Sequence, residues 1–148
     1  MKIKRIEHVA IAVDDLDAFT GILRDKLGLT LEYSEVFPQY QTKMAMFPVG
    51  ETYLEVIQAT SPVADTARWI AEKGQGLYHI CLEVDDINVA LAELKEKGVK
   101  LLDEAPRAGH ANTRIAFLDP QSTSDVLIEL VEMPAAPSSE HLAGHAAD

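Results

Sequence analysis

The chain has 148 residues, 47% hydrophobic and 25% charged, a globular composition of about one domain's length that excludes disorder of the whole chain. Thirteen Lys and Arg stand against 24 Asp and Glu; the net charge of −11 repels a nucleic-acid polyanion, and no basic stripe interleaved with aromatics offsets it. The single cysteine, Cys81, excludes an internal disulfide framework and a Cys-based zinc ribbon, and no apolar run approaches the roughly 18–20 residues of a membrane-crossing helix.

The first predicted strand, IEHVAIAV, follows a few basic residues but has no cleavage site after it, so the expected setting is cytoplasmic. Asp14-Asp15 then offers N-cap chemistry to a helix with Leu16, Phe19 and Leu23 on one face, ended by Gly28. Strands are expected near residues 30–35, 42–47 and 53–57, with a turn at 48–51. Ser61-Pro62 opens a helical stretch over 64–73, which Gly74-Gln75-Gly76 closes. From there the order starts again. LYHICLEV is a strand, Asp85-Asp86 a cap, Ile87, Ala90, Leu91 and Leu94 a helix face, and Gly98 its stop; strands follow near 100–102, 114–118 and 126–131.

This recurrence is an internal repeat. His8 and His79, Val13 and Val84, the two Asp pairs, and Leu23 and Leu94 all lie 71 residues apart, while the helix-ending glycines slip by one. Each copy closes on a Glu-bearing strand, YLEVI or LIELV. The predicted architecture is α+β: two β-α-β-β-β modules, residues 4–60 and 77–133, forming a curved mixed sheet with helices outside. One domain is expected over 1–133, with 64–73 joining the modules and a disordered, Pro-bearing tail over 134–148.

Strand alternation gives the site. His8 shares a face with Ala10 and Ala12, and His79 with Cys81 and Glu83; the Val, Ile and Leu residues of both strands face the helices. Glu55 and Glu129 stand mid-strand among apolar neighbours, where burial of a carboxylate is costly unless it is paired or holds a metal. A pseudo-twofold would converge His8, Glu55, His79 and Glu129 on one divalent ion, with Co, Mn, Ni, Fe and Zn all compatible with the donors. His110 is read chiefly as solvated, Arg107 and Arg114 either as solvated or as partners of a phosphate or carboxylate, Cys81 as a small core residue, and Trp69 as a core or dimer contact.

HVAIAVDDL, HICLEVDDI and VLIELVE resemble the vicinal oxygen chelate superfamily, the glyoxalase/bleomycin resistance/dioxygenase group. GLYHICLEVDDI, LAELKEKGVKLLDEAPR, RIAFLDP and STSDVLIELVE are similar to methylmalonyl-CoA epimerases. The resemblance implies a homodimer and a metal held by His8, Glu55, His79 and Glu129. It implies proton abstraction next to the thioester of methylmalonyl-CoA or a related 2-substituted acyl-CoA, with Glu129 as one acid/base and Glu55 as the other. Lys43, standing where some epimerases carry a glutamate, is a weaker candidate for base or carboxylate clamp. The loop DPQSTSD, residues 119–125, departs from the family's His-Pro-Lys-Ser pattern. The same His, Glu, His, Glu set resembles bacterial glyoxalase I, which acts on a glutathione adduct. A non-enzymatic small-molecule binder of the same fold is the third reading.

Overall fold

The computed structural model describes residues 1–135; the expected tail falls almost entirely outside them. The elements run β1 (Ile3–Ala12), α1 (Leu16–Gly21), β2 (Tyr33–Phe37), β3 (Thr42–Val49), β4 (Thr52–Ala59), α2 (Asp65–Lys73), β5 (Gly76–Val84), α3 (Ile87–Glu96), β6 (Arg107–Ala108), β7 (Arg114–Phe117) and β8 (Ile128–Glu132). The strands form one eight-stranded mixed sheet in the order β2-β3-β4-β1-β5-β8-β7-β6. β1 and β4 are parallel, as are β5 and β8, while β1 and β5 pair antiparallel at the centre. The repeat is therefore visible as a pseudo-twofold between β1 and β5.

The helices start as their sequence dictates. Asp15 accepts from Ala18 N at 3.0 Å and Asp86 accepts from Val89 N at 3.1 Å, so the second Asp of each pair is the cap. Each helix packs on the apolar face of its own module. Val13, Leu16, Leu23, Ala45, Phe47 and Val56 form one core, and Val84, Ile87, Ala90, Leu91, Ala116, Leu118 and Leu130 form the other. The other face curls into a cleft, and the two sheet edges approach across it: Tyr40, just after β2, donates its hydroxyl to the Ala108 carbonyl of β6.

The repeat's one-residue slip has a structural cause. After Gly21 the first helix widens into a π turn over Ile22–Lys26, absorbing a residue that α3 does not have. Both then stop at left-handed glycines, Gly28 (φ 74°) and Gly98 (φ 82°).

Some element boundaries differ from the sequence reading. The expected strand at 100–102 contributes only a bridge from Leu101 to Leu118; its neighbours instead hold the 119–125 loop, through Lys100 N to Ser122 Oγ and Asp119 N to the Lys100 carbonyl. β2 starts at Tyr33 rather than near residue 30, because Leu29 N still closes the helix on the Leu23 carbonyl and, of the residues before Tyr33, only Glu32 N reaches β3, at Met46 O. β8 starts at Ile128 rather than 126, because Val126 N is taken by the Thr123 carbonyl.

Candidate active site

Register brings the four residues together. Glu55 pairs with Ala10, which pairs with His79; on the next inward-facing rung His8 pairs with Cys81, which pairs with Glu129. Paired residues point to the same side of a sheet. Two long side chains thus flank a small one on each rung, and Ala10 and Cys81, both fully buried, leave room for the long ones to meet above them.

His8 Nε2 lies 3.1 Å from His79 Nε2, 3.2 Å from Glu129 Oε1 and 3.9 Å from Glu55 Oε2, and His79 Nε2 is 3.8 Å from Glu129 Oε1. Ligand atoms about 2.1 Å from one ion stand roughly 3.0 Å apart in octahedral cis positions and roughly 3.4 Å apart in a tetrahedron. Three of these side chains, His8, His79 and Glu129, have donor atoms mutually close enough to share an ion, and Glu55 reaches the same group through His8. All four are buried. The donors, two imidazoles and two carboxylates, suit a divalent ion in type and charge, and those of His8, His79 and Glu129 also in spacing.

Gln58, three residues beyond Glu55 in β4 and so on the opposite face, does not enter the site. Its Oε1 accepts from Leu16 N at 2.8 Å, capping α1. Glu132 does the same for α3, accepting from Ile87 N at 3.1 Å, so the two modules agree in this as well.

The electrostatics follow from burial and crowding. Burial alone would lower His8, but Glu55, Cys81 and Glu129 hold it well above the ordinary imidazole value. Burial takes His79 down to about 4 against the pull of Glu129. Burial raises Glu55, whereas the two histidines overcome burial at Glu129 and hold it at about 2. The two carboxylates thus differ, one inclined to hold a proton and the other to stay charged.

Glu7 was missed by alternation. β1 changes register between Ile6 and His8, a bulge that turns both Glu7 and His8 toward the same side. Glu7 is buried and its Oε2 bonds to His8 Nδ1, fixing the ring with Nε2 toward the cluster. The second module has Tyr78 at this place, and His79 Nδ1 is buried without a partner among the described residues. The only sequence signal for Glu7 was a carboxylate abutting His8.

Two other readings change. His110, expected to be solvated, is buried at the cleft wall, with Nε2 4.0 Å from Glu7 Oε1 and its ring beside Tyr33. Its loop is tightly made: Thr113 donates both N–H and Oγ1–H to the His110 carbonyl, and Ala111 has φ 52°. Lys43, the weaker candidate for base or clamp, does not line the cleft. In β3, Thr42 and Met44 line the cleft while Ala45 and Phe47 join the helix-side core; Lys43 alternates with the latter. Arg114 is bound to Glu132 at 2.9 Å outside the cleft, but Arg107 lines it. Trp69 packs against Tyr78 with its ring tilted, and no residue of the 119–125 loop lines the cleft. The cleft measures about 340 Å³ and has Glu55, His79 and Glu129 in its wall.

The family model for the glyoxalase/bleomycin resistance protein/dioxygenase superfamily matches residues 7–117. The chain belongs to that superfamily. An uncharacterized Bacillus subtilis protein, YqjC, is 31% identical over 137 residues, covering 93% of this chain and 98% of its own. The mitochondrial methylmalonyl-CoA epimerase of Bos taurus is 33% identical over 129 residues, covering 85% of this chain and 73% of its own. A solved methylmalonyl-CoA epimerase in complex with methylmalonyl-CoA and NH4+ superposes with a TM-score of 0.87 at 32% identity, over 93% of this chain and 99% of that one. Lactoylglutathione lyases are also among the relatives. None of the described helices is long and apolar enough to cross a membrane.

Proposed function

We propose that this protein is a metal-dependent isomerase that moves a proton at the carbon next to a thioester carbonyl, and that its substrate is methylmalonyl-CoA or a related 2-substituted acyl-CoA. The observation that supports this most directly is the meeting of two imidazoles and two carboxylates, one pair from each module, at a cleft wall. Similarity to named epimerases in sequence and fold supports the substrate class.

His8, His79, Glu55 and Glu129 would hold the ion, which when bound would stabilise the negative charge that develops on the carbonyl oxygen as the C–H bond breaks. Glu7 orients His8. Glu129 accepts the α-proton on one side of the reacting carbon. Glu55, related to Glu129 by the pseudo-twofold, would return one from the other side. The apolar rings of Phe37 and Phe117 in the cleft wall keep bulk water from the reacting carbon.

In deuterated water the protein is expected to exchange the α-hydrogen of methylmalonyl-CoA. Glu129→Gln should abolish the exchange while bound metal, measured by atomic emission, is retained. A glutathione hemithioacetal turned over rapidly, with no exchange into methylmalonyl-CoA, would move the assignment to a glyoxalase I-like isomerase. That second reading is favoured by one observation: among the described residues the cleft is lined by a single Lys or Arg, Arg107, where coenzyme A phosphates favour several. Ligand binding with turnover of neither substrate would leave the non-enzymatic reading.

A further inference from the structure

Among the described residues, the ionisable side chains of the cleft wall other than Glu55, His79 and Glu129 are Tyr40, Asp65, Tyr78, Arg107 and His110. Four of them are engaged or unsuited to moving a proton. Tyr40 gives its hydroxyl to the Ala108 carbonyl, Tyr78 turns its hydroxyl to Thr66, and Asp65 is bound to Arg68. The Arg107 guanidinium does not give up its proton. His110 is different. It is only 8% exposed, yet among the described residues neither ring nitrogen has a hydrogen bond. Its ion-pair neighbour, Glu7 Oε1, stands 4.0 Å from Nε2, too far for one.

The backbone is bent to put this ring in the cleft. Ala111 and Asn112, the next two residues, are both left-handed, at φ 52° and 60°, a conformation costly to a residue with a Cβ. Thr113 then closes the loop with two bonds to the His110 carbonyl. Strain of this kind persists where the surroundings over-determine it, and it concentrates at functional sites. The loop belongs to the second module, but it sets the His110 ring against the first, 6.2 Å from the ring of Tyr33 and beside Glu7. Glu7 thus stands between two imidazoles. His8 uses one of its oxygens and turns Nε2 to the cluster; His110 faces the other oxygen and supplies no donor atom to the cluster. Around Glu55, the cleft-facing residues of β3 and β4 are Thr42, Met44 and Ile57, none of them an acid or base at neutral pH.

Inverting a carbon takes a proton from one face and returns one to the other. If Glu129 and Glu55 did both, only His8 and His79 would be left to hold the ion. We infer that His110 is the second acid/base of the reaction and serves the face of the reacting carbon opposite Glu129. Glu129 takes the α-proton as the C–H bond breaks and its electron pair moves toward the carbonyl oxygen. The pair returns to carbon as a new C–H bond forms with the proton of His110, whose N–H electrons stay on nitrogen. In the reverse direction His110 takes the proton and Glu129 gives it, so no further reactant is needed. This rests on the proposed reading of the reaction and moves its second proton transfer from Glu55 to His110, leaving Glu55 as a ligand.

The test follows each epimer of methylmalonyl-CoA separately, with the full-length protein in deuterated water, and measures α-deuterium uptake and epimerisation independently. Wild type should exchange the α-hydrogen of both. His110→Ala and His110→Gln should each slow epimerisation by about 100-fold or more, while the one epimer whose hydrogen faces Glu129 still exchanges. Free imidazole should restore part of the loss in His110→Ala, where the side chain's space is empty, and none in His110→Gln, where an amide fills it. Metal content and melting temperature equal to wild type show that site and fold persist in the variants. Epimerisation by a folded His110→Gln within a few-fold of wild type overturns the inference and returns the second transfer to Glu55. An equal loss of exchange from both epimers, with no rescue by imidazole, also overturns it, since a merely structural role gives that pattern. Both of those results leave the epimerase reading standing. A wild type that exchanges neither epimer removes that reading, and the inference with it.

Discussion

At the scale of single residues, the two histidines are chemically unequal although the repeat makes them equivalent. His8 has Glu7 behind its Nδ1; His79 has no partner there. A carboxylate behind a ligating imidazole sets its tautomer and raises its basicity. Glu7→Gln keeps an acceptor for the Nδ1 proton but removes the charge, so metal affinity at the proposed centre is expected to fall about 10–100-fold. Competition with a chromophoric chelator measures this, and unchanged affinity would reduce Glu7 to packing. The His110 loop gives a second test. A Cβ on Gly109 would come within 2.5 Å of Thr113 Oγ1 and 2.7 Å of Ile115 Cγ2, both hemmed into a short hairpin. Gly109→Ala is expected to cost about 1–3 kcal/mol by overpacking. Ala111→Gly, at φ 52°, relieves a left-handed residue and is expected to gain about 0.5–1 kcal/mol. Urea melts of the two variants should therefore move in opposite directions.

At the scale of elements, each helix N-terminus is tied to the last strand of its module by one side chain, Gln58 for α1 and Glu132 for α3. The two differ in charge. Arg114 and the Ile87 N–H hold Glu132 below the ordinary carboxylate value of 4.5. A group whose pKa is lowered on folding adds stability above its unfolded pKa and loses it as pH falls through the folded one. Part of the acid sensitivity of this protein, from about pH 4.5 downward, is thus assigned to Glu132. Glu132→Gln, copying the first module, should flatten that limb of the stability–pH curve and leave the Ile87 contact in place. Gln58→Glu would set a carboxylate opposite Lys43, its register partner in β3, and at the Leu16 N–H, and should steepen the same limb.

What the sequence made legible lies at this same scale. Strand alternation and the repeat placed His8, Glu55, His79 and Glu129 on one face, and the Asp pairs and glycines marked both helices. Alternation fails where the backbone departs from a regular strand, so the bulge hid Glu7. His110 was hidden because its burial depends on a loop folding back over the cleft, a contact between segments that no local pattern carries. Lys43 is legible from register alone, since it alternates with the core residues Ala45 and Phe47 and so falls on the helix side.

At the scale of the whole molecule, the site is a joint between modules. His8 and Glu55 come from the first, His79 and Glu129 from the second, and they meet across the β1–β5 pairing, the most extensive contact between any two elements. Without an ion this joint crowds two carboxylates and two imidazoles in a buried space; with one, the same donors share a charge. Binding to the folded state alone stabilises by about 2.7 kcal/mol when the free ion exceeds its dissociation constant a hundredfold. Chelation should therefore lower the melting temperature by several degrees while leaving one cooperative transition, because neither module completes the site alone. His8→Ala and His79→Ala, one change in each module, should each abolish the metal-dependent shift, and each should do so without splitting the transition. A shift that survives either substitution would place the ion within one module, and a chelated protein melting in two steps would show that the β1–β5 pairing couples the modules less than its extent requires.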